Sequence, residues 1–196
     1  MMDKLEIDAS DSNSIFKLRD YLSEILAPIV KANRAIILLC IGTDRSTGDS
    51  LGPLVGDKLK FLVRDNVYLY GNLENPVHAK NLGATLEEIY SNYTNPYIIA
   101  IDACLGKLQN VGKIFIEDKP LSPGAAMNKD LPKVGDLSIV GIVNISGVLE
   151  FMVLQNTRLF TVMNLADTIA NGIYHCILKT VGGRKSKFNL DKSVKV

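Results

Sequence analysis

The chain contains no tryptophan, only two histidines and only three cysteines among its 196 residues. His78 and His175 leave little room for histidine-based chemistry. Cys40, Cys104 and Cys176 are odd in number and widely spaced, with no C-x-x-C. That argues against a disulfide framework and against a cysteine-rich zinc site. Neither sign of charge dominates: 22 basic and 21 acidic residues give a net charge of +1. Bulk charge therefore marks no nucleic-acid binder and implies no long-range steering of a charged partner. The longest apolar run, residues 35–41, is far too short to span a bilayer. The first residues, MMDKLEIDASDSNS, are polar and acidic and have no apolar h-region. No signal peptide and no membrane partner are expected, and a reducing cytoplasm is the expected location. Internal repeats and low-complexity tracts are lacking too.

What is present suits one domain with tails. Hydrophobic residues make up 47% and charged residues 22% of the chain, enough to bury a core without staples. Residues 1–13 read as a frayed, polar lead-in. Asp11, Ser12 and Asn13 offer capping oxygens to a helix over 14–31, with Ile15, Leu18, Leu22, Ile25, Leu26 and Ile29 at helical spacing. Pro28 stands near its end, where proline kinks or stops a helix. The run AIILLCI at 35–41 is continuously apolar, as in a strand covered on both faces. A turn-rich loop, GTDRSTGDS, follows at 42–50, and then helical spacing resumes with Pro53 early, where a helix tolerates it. Short strands are expected at 67–70 and 97–101, with a helix over 82–93 between them. Residues 111–117 alternate, as in a more exposed strand. Residues 118–137 carry Pro120, Pro123, Gly124, Pro132 and Gly135 and read as a long loop, a feature often tied to function. A buried strand is expected at 137–143. Residues 147–156 stay ambiguous between helix and strand. A helix from 159 to 180 ends at Gly182-Gly183, and the basic tail 183–196 is expected to be disordered. Strands alternating with helices define an α/β fold: a three-layer α/β/α sandwich around a mostly parallel sheet.

In such sheets the site lies at the carboxyl ends of the strands. Two acids occupy that edge: Asp49, between the first apolar strand's loop and the next helix, and Asp102, at the end of the strand 97–101. If those two strands are neighbours, both carboxylates converge on one cleft. One pKa then rises and the other falls, supplying an acid and a base from one residue type. The base activates a water and the acid protonates a leaving amine, so amides are cleaved with no covalent intermediate. The plainer alternative makes Asp49 an N-cap and Asp102 a turn former, and on spacing alone that alternative ranks first. The loop at 42–50 is neither G-x-G-x-x-G nor a Walker loop. Its amides open a helix and Arg45 could pair with an anion there, but a simple turn is favoured. Cys104 reads as a small buried hydrophobe, since no paired histidine is evident. His78 could reach the cleft from its loop, though a solvated loop histidine is the commoner case, and His175 reads as packing or surface.

The segment GTDRSTGDSLGP, residues 42–53, resembles the germination protease of bacterial spores. That family carries Thr-x-Asp-x-Leu-Gly-Pro after its first strand and Ile-Asp-Ala after a later one. Here these are Thr47, Asp49, Leu51, Gly52 and Pro53, then Ile101, Asp102 and Ala103. SPGAAMNK at 122–129 matches a Pro-Gly-rich loop ending in Asn-Lys, and LSIVGIVN follows. The matches run in order over roughly residues 35–145, which isolated motifs seldom do. Size and spacing are most similar to the short relatives of that protease, the YyaC-type sporulation proteins. Two departures are visible: Gly48 stands where the protease has proline, and Asp44-Arg45 has no equivalent.

The resemblance implies a phosphorylase/hydrolase-like sandwich, shared with the hydrogenase-maturation endopeptidases. It implies an endopeptidase that uses two aspartates, here Asp49 and Asp102, with no metal and no cofactor. Thr47 and Arg45 on the first loop, with Ser122, Gly124, Asn128 and Lys129 on the second, become candidate substrate-binding residues. Small acid-soluble spore proteins are the implied substrates, and the forespore or spore interior the implied place. A hydrogenase-maturation role needs an acid–acid–histidine metal set. His78 precedes Asp102 and no histidine follows in the later loop, so that kinship concerns fold alone. Two other functions stand beside the peptidase: a non-catalytic relative that binds spore proteins or peptides, and a small-molecule hydrolase on the same fold.

Overall fold

A computed structural model describes residues 4–62, 64–123 and 133–182. Its sheet has six strands: β1 (Leu5–Asp8), β2 (Ile36–Cys40), β3 (Val67–Tyr70), β4 (Tyr97–Gly106), β5 (Lys113–Glu117) and β6 (Leu137–Ile145). They lie side by side in the order β1-β5-β6-β4-β2-β3. The strands β6, β4, β2 and β3 are parallel, whereas β5 runs antiparallel to both β6 and β1. Among the described residues five α-helices flank the sheet: α1 (Ser14–Lys31), α2 (Leu51–Leu59), α3 (Leu82–Asn92), α4 (Glu150–Gln155) and α5 (Leu159–Thr180).

The uninterrupted hydrophobicity of β2 has a direct cause. Successive side chains point to opposite faces of the sheet, and both faces are covered. Ile36, Leu38 and Cys40 join the core beneath α1, α2 and α5, while Ile37, Leu39 and Ile41 join the core beneath α3. In β4, Ile99 and Ile101 go to the first core, Ile98 and Ala100 to the second. Each such fully buried aliphatic side chain contributes roughly 1.5–3 kcal/mol. Close approach of α2 to β2 depends on Gly52: a Cβ there would stand 2.0 Å from the Ile41 carbonyl oxygen.

The expected frayed lead-in is partly a strand. Residues 5–8 pair with β5, Leu5 opposite Ile116 and Asp8 opposite Lys113, and Ile7 is buried in the main core. Lys113 Nζ lies 2.6 Å from Glu6 Oε1 across the pair. Four residues with one fully buried side chain give almost no periodic signal, and the partner strand lies over a hundred positions away. The helix at 14–31 runs through Pro28, and Ala32 N–H donates to the Pro28 carbonyl at its end. The ambiguous stretch 147–156 contains α4, opened by Leu149 in the left-handed region at φ 62°. The expected disordered tail, 183–196, lies outside the described residues.

Candidate functional site at the carboxyl edge of strands β2 and β4

β2 and β4 are adjacent, pairing from Ile36 with Tyr97 to Cys40 with Ile101. The expectation of a strand ending at 101 is corrected: β2 stops beside Ile101, while β4 continues through Asp102 to Gly106 against β6. Asp102 therefore stands where the chain of β2 turns away toward Asp49. Beyond β2 the chain turns at Gly42, with φ 140°. A Cβ on Gly42 would stand 2.1 Å from the Asp49 carbonyl oxygen, so the bare Cα lets the loop close on itself. Thr43 N–H donates to that same carbonyl at 2.9 Å. Thr47–Asp49 forms a single 3-10 turn, in which Asp49 N–H donates to the Ser46 carbonyl at 3.0 Å. Ser50 stands at the N-cap position of α2, yet its hydroxyl donates back to the Thr47 carbonyl at 2.7 Å. Asp49 is thus held by the loop's own backbone at the mouth of α2, half-buried.

Asp102 lies within β4 and is 7% exposed. Its Oδ1 accepts a hydrogen bond from Ala103 N–H at 2.8 Å. Burial raises its proton affinity well above the usual carboxylate range, and the charge of Asp49 raises it further. One carboxyl is therefore enclosed and inclined to hold its proton, and the other is more open. Just beyond, the pairing of β4 with β6 shifts register between Cys104 and Leu105. Such irregularities re-aim side chains beside reactive edges.

Cys104 is half-buried, and its thiol is pushed up by burial and then by the charge of Asp102. Glu150, the first residue of α4, acts on the same thiol in the same sense, which locates α4 beside this edge. α4 packs on the Asp49 turn through Gly48, where a Cβ would meet Leu154 Cδ2, the Leu154 carbonyl oxygen and Thr157 Oγ1 at 2.8 Å each. Asn144, near the end of β6, donates to Thr157 Oγ1 at 3.2 Å and ties the far end of α4 to the sheet.

The other sequence candidates are distributed as follows. Thr47 belongs to the turn itself and is half-buried; Arg45 is exposed on the same loop. Ser122 is exposed beside the bridge that joins Leu121 to Val134, whose side chains pack on the α3 face. Gly124, Asn128 and Lys129 lie outside the described residues. The loop of His78 does run along the edge, as one of the two readings allowed. Val77 forms a parallel bridge with Ile41, and Gly42 N–H donates to the Val77 carbonyl at 2.8 Å. The His78 ring nitrogen Nδ1 accepts from Lys80 N–H at 3.3 Å. His175 is exposed and meets Tyr174 edge to face. Sequence reasoning did not single out α4 and Glu150, because their spacing to either aspartate carries no motif. Among the described residues, no three histidine, cysteine, aspartate or glutamate side chains gather into a metal site. No helix among them is long and apolar enough to cross a membrane.

The class shown is an α/β fold, a mixed six-stranded sheet with helices on both sides, with buried Asp102 in β4 and half-buried Asp49 in the turn beyond the adjacent β2. The chain belongs to the family described as a protein of unknown function, DUF1256, whose model matches residues 6–172. It is 49% identical over 170 residues to the uncharacterized protein YyaC of Bacillus subtilis strain 168, covering 87% of this chain and 82% of that protein. Among solved structures it is similar to the NiFe hydrogenase maturation protease HycI from Thermococcus kodakarensis KOD1, with a TM-score of 0.52 and 17% identity. That match covers 80% of this chain and 98% of the protease, and at such identity it shows a shared fold.

Proposed function

We propose that this protein is a peptidase that hydrolyses peptide bonds with Asp49 and Asp102 and needs no metal. The observation that carries the reading is the unequal setting of the two carboxyls, Asp102 buried in β4 and Asp49 half-buried in the turn that follows the adjacent β2. Asp102 is buried and holds its proton, so it is the group that can donate to a departing amine. Asp49 is the more open and takes the proton of an attacking water. The water adds to the scissile carbonyl carbon, the carbon–nitrogen bond breaks, and the amine leaves with the Asp102 proton. Proton exchange with solvent then restores both groups. Backbone amides of the 42–50 loop that the loop's own turns do not engage are the proposed donors to the carbonyl oxygen, as at other helix entrances. Arg45, Thr47 and Ser122, with Gly124, Asn128 and Lys129, are the residues proposed to hold the substrate.

The sequence resemblance to the germination protease supplies the substrate to try first, small acid-soluble spore proteins, and with it a role in sporulation inside the forespore. Purified protein incubated with them, with and without a chelator, is read by mass spectrometry beside Asp102→Asn and Asp49→Asn. Specific cleavage that survives the chelator and vanishes in both variants is the expected result. Absence of cleavage with these and with a broad peptide library would leave the non-catalytic peptide-binding relative as the better reading. Cleavage that the chelator abolishes would replace the metal-free mechanism.

A further inference from the structure

The connection from β6 to α5 presents an unusual run of large apolar side chains to solvent. Val148, Leu149, Phe151, Met152, Leu159 and Phe160 are all exposed, Val148 to 88% and Phe160 to 71%. Apolar groups scattered singly over a surface need no explanation, but six within thirteen residues do. Residues 145–160 hold just one acid, Glu150, and one base, Arg158. Leu149 also holds a left-handed backbone at φ 62°, a conformation costly for a branched side chain and typical of sites under functional demand.

The place of this surface identifies its occupant. α4 has two sides. Leu154 faces inward, against Gly48 in the turn that carries Asp49. Phe151 and Met152 face outward. Its first residue, Glu150, lies near enough to Cys104 to act on that thiol, two positions along β4 from Asp102. The shelf is thus carried by the helix whose inner side rests on the Asp49 turn, and a chain that crosses from it past Glu150 reaches the edge that holds the two carboxyls. With one charge of each sign in the segment, the surface is suited neither to nucleic acid nor to an anionic membrane, both of which call for clustered basic residues.

We infer that the apolar shelf of residues 148–160 is the docking subsite for the substrate, and that the substrate class is a polypeptide with bulky aliphatic or aromatic side chains flanking the bond presented to Asp49 and Asp102. The inference rests on the peptidase reading for the chemistry at the carboxyls, but the shelf itself can be tested without hydrolysis.

The test measures equilibrium binding to the full chain carrying Asp49→Asn, so that nothing is cleaved. Two fluorescein-labelled peptides of equal length and charge serve as probes, one with leucines and phenylalanines, the other with serines in their places. The apolar peptide is expected to bind at least about tenfold more tightly, and Phe151→Glu to remove about that factor while leaving the serine peptide unaffected. Val148→Glu and Phe160→Glu, at exposed positions, repeat the measurement should Phe151→Glu fold poorly; thermal melts check each variant. Equal binding of the two peptides, or a preference untouched by all three substitutions, would overturn the inference. So would vesicles of neutral phosphatidylcholine binding through the shelf in place of peptide, or a shelf-dependent dimer without peptide preference. Shelf-dependent binding without cleavage by the unsubstituted chain keeps the subsite and removes the peptidase. Cleavage indifferent to the shelf variants does the reverse.

Discussion

The charge of Asp49 acts on the buried carboxyl of Asp102 in the same direction as burial does, so that each makes Asp102 a better keeper of its proton. This has a consequence for stability. The folded protein holds the Asp102 proton to a higher pH than the unfolded chain, whose value is near 3.8. Stability from that proton is fully present below about 3.8 and is lost as pH rises through the raised folded value. Asp102→Asn, which cannot ionise, should match wild type in acid and exceed it at neutral and alkaline pH. A gain on the order of 1 kcal/mol, or about 2–4 °C in melting temperature, is expected. Melts at pH 4 and pH 8 check it (about those values suffice); a loss at the higher pH would show that the charge is welcome in its site.

Activity should respond to the same group with the opposite cost. Replacing either Asp49 or Asp102 by Asn should lower kcat/KM by about 10²–10⁴. On the proposed mechanism the alkaline side of the wild-type pH profile should report the loss of the Asp102 proton, and activity should fall as pH rises through its elevated pKa. The residual activity of Asp102→Asn should lack that alkaline fall. Initial rates across pH decide the matter, and an unchanged alkaline limb in the variant would assign the limb to another group.

Gly48→Ala tests the seat of α4. The added methyl meets Leu154 and Thr157 at 2.8 Å, two of the three contacts being with a backbone oxygen and a hydroxyl that is itself hydrogen-bonded. A loss of about 1–3 kcal/mol is expected from overpacking. Activity should fall beyond what the stability loss explains, because the same turn carries Asp49. Denaturant melts alongside rates separate the two effects.

Cys104 is near Asp102 but is poorly set to be a nucleophile, since burial and the neighbouring charge hold its thiol protonated. Cys104→Ser should keep kcat/KM within about threefold. A hundredfold loss (roughly the scale of a missing catalytic group) would move the nucleophile to the thiol.

Ile7 is the one fully buried side chain of β1, with Leu5 packed partly buried against the same core. Truncation to alanine should cost about 2–5 kcal/mol, as for other core aliphatics. Urea unfolding measures it. A loss below about 0.5 kcal/mol would mean that β1 contributes little to the fold.

Much of this architecture was legible in one dimension, for reasons local to the chain. α1 at 14–31 and α5 at 159–180 follow the spacing of their apolar residues, because a helix buries one face and solvates the other. β2 announces itself by unbroken hydrophobicity, because helices cover both of its faces. β1 was not legible: an edge strand of four residues owes its conformation to β5, not to its own pattern. α4 was not legible either, since half of its apolar residues face solvent and blur the helical stripe.

The candidate site divides along the same line. Sequence by itself marked Asp49 in the loop that follows one apolar strand and Asp102 against the apolar run of another, since motif and hydrophobic run are both local; that β4 runs on through Asp102 to Gly106 it did not show. Tertiary structure alone decided that β2 and β4 are neighbours, that Asp102 is buried while Asp49 stays open, and that α4 rests on the turn between them. Strand order, burial and charge coupling are relations between distant segments, and they come into being only when the sheet assembles and excludes water from its edge.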